Sequence, residues 1–220
     1  MPVRNGAAHI ALALESLLDQ TFGDFELVVY DNASTDDTFQ IVSAIASRDA
    51  RVRVIRHERN IGGAANFIHA AEQTTGEFFC WAAHDDLREP TFLATMFALL
   101  QSNPEVALAC CAVRNIDPDG TMREIRPETA SLRTTTGTNA AQRLRMYLRE
   151  TPGTPFYGLF RTKALKASLD ALHEMNALSA GGPALLGSDM TFLARFLRDH
   201  GFAYAPQPLL LFRRGGVRHD

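Results

Sequence analysis

The sequence predicts an α/β fold built on a doubly wound, mostly parallel sheet. Strand, loop and helix patterns alternate three times in the first half of the chain, and this alternation is typical of right-handed βαβ units. Of the 220 residues, 46% are hydrophobic and 21% are charged, as in ordinary globular proteins. We therefore expect one domain over residues 1–220, with a continuous core.

The first units are defined by hydrophobic periodicity. Asn5 can cap a helix whose apolar positions begin at Ile10 and recur every three or four residues. A strand over residues 25–30 is followed by the acidic turn 31–38 and a second helix. A further unit then has its strand at 52–55, its loop at 60–63 and its helix at 64–74. The first half therefore repeats strand, polar loop and helix.

The second half has a weaker rhythm. An apolar run at 77–83 predicts a buried strand, a helix starts near Pro90, and residues 106–113 predict another strand. Residues 117–120 predict a turn, and residues 123–138 show no sustained period, so we expect a mobile loop or lid there. Further helices are expected at 140–149, from 162 and at 188–200, strands at 156–160, 202–205 and 209–212, and a glycine-rich loop at 181–183.

Composition excludes several classes of function. A net charge of −3 provides no general attraction for nucleic acid. Cys80, Cys110 and Cys111 lie in apolar runs, which suits reduced, buried thiols. No apolar run reaches the roughly 18 residues of a membrane span, and no signal segment begins the chain. These features predict a cytoplasmic protein, with peripheral contact at the inner membrane face left open.

Two adjacent carboxylates, Asp85 and Asp86, follow the apolar run at 77–83. In open α/β sheets, ligands bind at the carboxyl ends of strands. Neighbouring ionised carboxylates repel each other unless they are solvated, share a proton or face a cation. The pair therefore predicts a site for a divalent metal, and the alternative is a solvated loop before the next helix.

A third acidic position is Asp189, which shares a helical face with Leu193 and Phe196. Its carboxylate is expected to point toward the interior or a cleft, unless it simply caps its helix in the first turn. Other schemes fit less well. Gly62–Gly63 has neither a dinucleotide fingerprint nor a P-loop spacing, residues 31–38 lack the glycine and glutamate of a calcium loop, and no nucleophile elbow or histidine metal spacing occurs.

The ordered set of motifs resembles glycosyltransferase family 2, the inverting enzymes of GT-A fold. The match is carried by the Pro-x-x-Asn motif at 2–5, by residues 20–38, 59–62 and 76–78, and by the Asp85–Asp86 pair. The second half matches loosely, through residues 187–189 and 206–210. The resemblance implies a nucleotide-sugar-binding half at 1–113 and an acceptor-binding half at 114–220.

The resemblance also implies a chemistry and a set of roles. The donor would be a nucleotide-diphosphate sugar, the cofactor Mn²⁺ or Mg²⁺, and the acceptor a carbohydrate or lipid-linked hydroxyl in polysaccharide or glycolipid synthesis. By analogy, Pro2 and Asp31 contact the base, Asn60 lies near the nucleoside, Asp85 contacts the ribose, Asp86 binds the metal, and Asp189 is the catalytic base. The expected reaction is a single inverting, hexosyltransferase-like displacement.

The sequence departs from the family pattern at four places. Met1 directly precedes Pro2, so the apolar first strand of the family is expected to be missing, and Arg4, His84 and Ser188 replace other common residues. A catalytically weak or silent GT-A domain that binds nucleotide or a partner is therefore an alternative. A sugar-phosphate nucleotidyltransferase shares the sheet, but its glycine-rich, arginine-containing loop is not in this chain.

Overall fold

The computed structural model describes residues 1–126, 132–150, 153–178 and 188–214. Its strands form two sheets. The first sheet is parallel and has the order β1 (Pro2–Val3), β2 (Leu27–Asp31), β3 (Val52–Arg56). Helices follow these strands, as the periodicity predicts: α1 (Ile10–Leu18), α2 (Thr38–Ala46) and α3 (Gly63–Glu72).

The second sheet is mixed. Its order is β4-β8-β6-β9-β5, with β7 paired to β6, where the strands are β4 (Phe78–Cys80), β5 (Leu87–Arg88), β6 (Val106–Ile116), β7 (Met122–Ile125), β8 (Leu159–Arg161) and β9 (Gly201–Arg213). Of these pairs only β6 with β9 is parallel. The expectation of a mostly parallel sheet is thus wrong here. Strand direction depends on pairing between distant segments, which local periodicity does not encode.

The remaining helices cover this second sheet. They are α4 (Phe92–Ser102), α5 (Ala140–Glu150), α6 (Thr162–Ala167), α7 (Asp170–Leu178) and α8 (Ser188–Asp199), with a 3₁₀ turn at Thr154–Tyr157. Trp81 is completely buried and stacks on Phe156 with ring centroids 4.2 Å apart. This aromatic cluster joins the end of β4 to the 3₁₀ turn and to α8 through Phe192, whose ring lies edge-on to both.

The expectation that the first strand is missing is also wrong, because a two-residue strand is present. Pro2 and Val3 pair in parallel with Tyr30 and Asp31 of β2. The ladder extends over Met1, whose amine donates to the Val28 carbonyl at 2.7 Å and whose carbonyl accepts from the Tyr30 N–H at 2.8 Å. Among the described strands, β1 pairs only with β2, so the two sheets are not joined by hydrogen bonds there.

Two local expectations also need correction: the expected loop over 123–138 begins with a strand, and the two expected closing strands are continuous. Residues 122–125 form β7, which pairs with β6 across the predicted turn, in which the Gly120 N–H donates to the Asp117 carbonyl at 2.9 Å. The two expected closing strands are one strand, β9, whose pairing with β6 shifts register near Pro208. The glycine-rich loop at 181–183 lies outside the described residues. Within the described ranges, no helix combines the length and apolar character needed to cross a membrane.

Candidate active site

The loops after β1 and β2 are bound tightly to each other. Three successive backbone N–H groups of the first loop donate to side chains of the second: Asn5 N to Ser34 Oγ at 2.9 Å, Gly6 N to Thr38 Oγ1 at 2.8 Å, and Ala7 N to Asp36 Oδ2 at 3.1 Å. The expectation that Asn5 caps α1 is therefore wrong, because α1 begins at Ile10 and Asn5 binds the loop after β2 instead. Its side-chain oxygen accepts from the Thr35 N–H at 2.9 Å, and no side chain caps α1.

Asp31 ends β2 and is completely buried. One carboxylate oxygen accepts from the Ser34 N–H at 3.2 Å, and the other lies 3.1 Å from Nε of Arg56. The Arg56 guanidinium is partly exposed and lies over the Phe39 ring, 4.8 Å from its centroid. The Asp31 carboxylate therefore lies below the surface at this end of the sheet, and the guanidinium of Arg56 is its exposed, charged partner.

Asn60 lies at the same edge as Asp31. Its side-chain oxygen accepts from Asn32 Nδ2 at 2.8 Å and from the Gly62 N–H at 2.9 Å. Asn32 is buried and follows directly after β2, so it joins the loops after β2 and β3. Pro2 is buried in β1, next to this edge. The predicted nucleotide-binding residues Pro2, Asp31 and Asn60 thus converge at the carboxyl ends of the first three strands.

His84 joins this edge to the carboxylate pair. Its ring is completely buried, and a Cβ added at Gly6 would lie 2.5 Å from its Cδ2 and 2.7 Å from Cγ2 of Val3. The loop after β1 can approach His84 this closely only because residue 6 has no side chain. His84 is therefore a packing residue between two loops.

Asp86 is 3% exposed, which rules out the solvated-loop alternative for this residue, whereas Asp85 is partly exposed. The Asp86 Oδ1 accepts from the Arg213 N–H at 3.0 Å, and the buried Oδ2 accepts no hydrogen bond from the described residues. Burial, and then the charge of Asp85, raise the pKa of Asp86 to about 7, although Arg88 and Arg213 act to lower it.

The environment of Asp86 fits a divalent cation. A buried carboxylate oxygen with no donor is costly unless a positive group binds it, and carboxylates are preferred ligands of Mg²⁺ and Mn²⁺. No three His, Cys, Asp or Glu side chains within the described ranges are grouped so as to hold a metal. Asp86 and Asp85 would therefore hold the ion together with oxygen atoms of a substrate, as Mg²⁺ sites commonly do.

Asp189 lies in the first turn of α8, and Leu193 and Phe196 on the same face are buried, as the spacing predicts. Its carboxylate lies against the backbone of Gly153, where an added Cβ would be 2.3 Å from Oδ2. Burial raises the pKa of Tyr157, and the charges of Asp86, Asp189 and Asp85 raise it further. Three of the four acidic residues predicted as site residues therefore lie close enough to Tyr157 to raise its pKa.

Sequence reasoning missed the partners of these carboxylates. Arg88 and Arg213 are buried, at 4% and 3% exposure, and lie close enough to Asp86 to lower its pKa. The available signal was an arginine at the end of an apolar strand pattern, where a charged group must have a buried partner. Gly153 and Tyr157 carried no such signal, because their importance depends on what packs against them.

Comparisons with known proteins show the family and the fold of this chain. The chain is 33% identical to the chondroitin synthase of Escherichia coli over 125 residues, covering 56% of this chain and 18% of the synthase. The structure of S. aureus TarS in complex with UDP-GlcNAc superimposes with a TM-score of 0.74 at 19% identity, covering 99% of this chain and 58% of TarS.

A second solved structure, the mannosyltransferase PcManGT from Pyrobaculum calidifontis with GDP-Man and Mn²⁺, has a TM-score of 0.63 at 17% identity and covers 100% of this chain and 56% of that one. These likenesses show the GT-A fold. The chain spans less than half the length of the curated relatives that it matches. The family profile described as Glycosyl transferase family 2 matches residues 1–169, and the chain therefore belongs to that family.

Proposed function

We propose that this chain is a metal-dependent, inverting glycosyltransferase that moves a sugar from a nucleotide-diphosphate donor to an acceptor hydroxyl, in polysaccharide or glycolipid synthesis. The observation that carries the proposal is the buried Oδ2 of Asp86, which has no donor among the described residues, beside Asp85. A third carboxylate, that of Asp189, lies close enough to raise the pKa of Tyr157 together with this pair.

The nucleotide-sugar donor lies along the loops of residues 1–113 in this proposal. Pro2, Asp31 and Asn60 form the base and nucleoside end, with Arg56 as the exposed partner of Asp31. Asp85 contacts the ribose, and Asp86 holds Mn²⁺ or Mg²⁺. When bound, the ion would neutralise negative charge on the departing diphosphate. Complexes of the structural neighbours with UDP-GlcNAc and GDP-Man support this class of donor.

Residues 114–220 bind the carbohydrate or lipid-linked acceptor and supply Asp189. Its carboxylate takes the proton of the acceptor hydroxyl as that oxygen attacks the anomeric carbon. The bond from the anomeric carbon to the acceptor oxygen forms on one face, while the bond to the diphosphate oxygen breaks on the other. One displacement therefore inverts the configuration, and the proton remains on Asp189 until solvent removes it.

The test uses Mn²⁺ with a panel of UDP-, GDP- and dTDP-sugars. We expect at least one nucleotide diphosphate to raise the melting temperature in a metal-dependent manner, and Asp86→Ala to abolish this rise. Asp189→Asn should abolish transfer to an acceptor extract while nucleotide binding is kept. No Mn²⁺-dependent binding of any nucleotide would contradict the proposal. Metal-dependent binding without turnover would support the silent GT-A domain instead.

A further inference from the structure

The side chain of Arg213, the last residue of β9, joins the segment that carries Asp85 to the turn between β6 and β7. Its Nε donates to the Asp85 carbonyl at 2.9 Å. Its Nη1 donates to the Asp117 carbonyl at 3.0 Å and to the Pro118 carbonyl at 2.6 Å, in the turn between β6 and β7. The residue is 3% exposed, so this planar fork is formed in the protein interior.

The backbone of Arg213 contacts the other carboxylate. Its N–H donates to Asp86 Oδ1 at 3.0 Å. This N–H is itself fixed by the pairing of Arg213 with Ile116 of β6, which continues in the bond from the Arg214 N–H to the Ile116 carbonyl at 2.8 Å. Arg213 therefore donates hydrogen bonds to the main chain of Asp85 and to Oδ1 of Asp86. The Oδ2 of Asp86 accepts no hydrogen bond from the described residues.

Charge alone does not explain this arrangement. Arg88 is also buried near Asp86, where it lowers the pKa of that carboxyl, and its guanidinium lies over the Phe92 ring at 4.9 Å. Arg88 thus supplies a second positive charge, and no hydrogen bond joins it to Asp86 among the described contacts. The distinctive contribution of Arg213 is its set of directed hydrogen bonds to the segment that carries the two carboxylates and to the turn between β6 and β7.

We propose that Arg213 is a positioning residue for the Asp85–Asp86 pair, and that its fork keeps Asp86 Oδ2 oriented for a divalent cation. The inference rests on the proposed function, because it concerns the same metal. Groups that orient metal ligands without touching the metal commonly change metal affinity by 10- to 100-fold, in round terms, when they are removed. Arg213 has the geometry of such a group.

A positioning role and a purely electrostatic role of Arg213 predict opposite changes in Mn²⁺ affinity when its guanidinium is removed. Without the guanidinium, the site loses a positive charge, so electrostatics alone would strengthen cation binding. Loss of the fork releases the Asp85 main chain and the turn at Asp117, so a positioning role predicts weaker binding. Mn²⁺ affinity therefore distinguishes the two roles directly.

The experiment measures Mn²⁺ binding by electron paramagnetic resonance in the presence of UDP or GDP, with nucleotide alone as the blank. It compares the parent chain with Arg213→Met, Arg213→Lys and Arg161→Met at about pH 8, above the pKa of Asp86. Arg161 is the matched control. Its side chain also donates to backbone carbonyls, those of Val106 and Leu100, at 2.9 and 2.6 Å, but Arg161 pairs with Phe78 at the opposite end of β4.

We expect the half-saturating Mn²⁺ concentration to rise about tenfold or more in Arg213→Met, and to stay near the parent value in Arg161→Met. Lysine keeps the charge but cannot reach both segments with one ammonium group, so Arg213→Lys should also bind Mn²⁺ more weakly than the parent. Arg213→Lys therefore keeps the test decisive if Arg213→Met does not fold.

Unchanged or tighter Mn²⁺ binding in Arg213→Met would overturn the inference. Parent-level binding in Arg213→Lys would overturn it as well, because the directed hydrogen bonds of the guanidinium would then not be needed for Mn²⁺ binding. These results leave the proposed function intact, since the parent still binds the metal. A parent chain that binds no Mn²⁺ with either nucleotide would overturn the metal dependence of the proposed function, and the inference with it.

Discussion

The contact between Gly153 and Asp189 permits a sharp test of the proposed catalytic base. A Cβ built at Gly153 would lie 2.3 Å from Oδ2 and 3.3 Å from Cγ of Asp189, whereas ordinary contact begins at 3.4 Å. The Gly153→Ala substitution must therefore move the carboxylate by about 1 Å. A misplacement of this size at a reacting group can lower the rate about 100-fold, which corresponds to about 2.7 kcal/mol in the activation free energy.

The same substitution should have a small effect on stability. The displaced group is the end of a partly exposed side chain, which can rotate at a cost of roughly 1 kcal/mol. For a chain of this size, that lowers the melting temperature by about 2–4 °C. Affinity for the nucleotide should not change, because the altered contact involves only the acceptor side of the proposed site.

The assay follows release of nucleoside diphosphate from the donor that the parent chain turns over. Gly23→Ala is the control, because a Cβ at Gly23 would meet nothing within 4 Å. Transfer by Gly153→Ala within about twofold of Gly23→Ala would refute the reasoning, since a base displaced by 1 Å cannot keep its rate. Equal losses of transfer and nucleotide affinity would refute it as well.

Three further predictions follow from the same structure. Gly6→Ala should lower the free energy of unfolding by about 1–3 kcal/mol, because its Cβ would meet the buried ring of His84 at 2.5 Å. Urea unfolding measures this change, and an unchanged midpoint would contradict the close packing of Gly6 against His84. In metal-free protein, the raised pKa of Asp86 (about 7, from 3.8) means that the folded state binds the proton more tightly. Stability contributed by this group is therefore lost as pH rises from about 4 to about 7, and Asp86→Asn should flatten that decline in thermal unfolding. Ala33 has a φ of 55°, a left-handed backbone that glycine adopts without strain, so Ala33→Gly should leave stability equal or higher, whereas Ala44→Gly on the exposed face of α2 should cost about 1 kcal/mol.

The corrections to the predicted fold have a common origin. Helix positions were predicted well, because hydrophobic periodicity is a property of neighbouring residues. The strand expected to be buried at 77–83 spans only Phe78–Cys80, and its residues are partly buried. The direction of β8 and β5, the union of the closing strands into β9, and the short β1 were not predicted. Each depends on which distant segment a strand pairs with. For example, Phe78 of β4 pairs with Arg161 of β8, which lies far along the chain.

The sequence by itself determined which residues are candidates for the site: two adjacent carboxylates after a predicted strand, and an acidic residue that shares a helical face with Leu193 and Phe196. Both features depend only on residue type and on the spacing of residues that are close in the sequence. Only the tertiary structure decided the state of those groups. Arg213 reaches Asp86 from 127 positions away, and Gly153 meets Asp189 from a different segment. Burial, the pKa of Asp86 and its unshared oxygen arise from such packing, which local sequence does not specify.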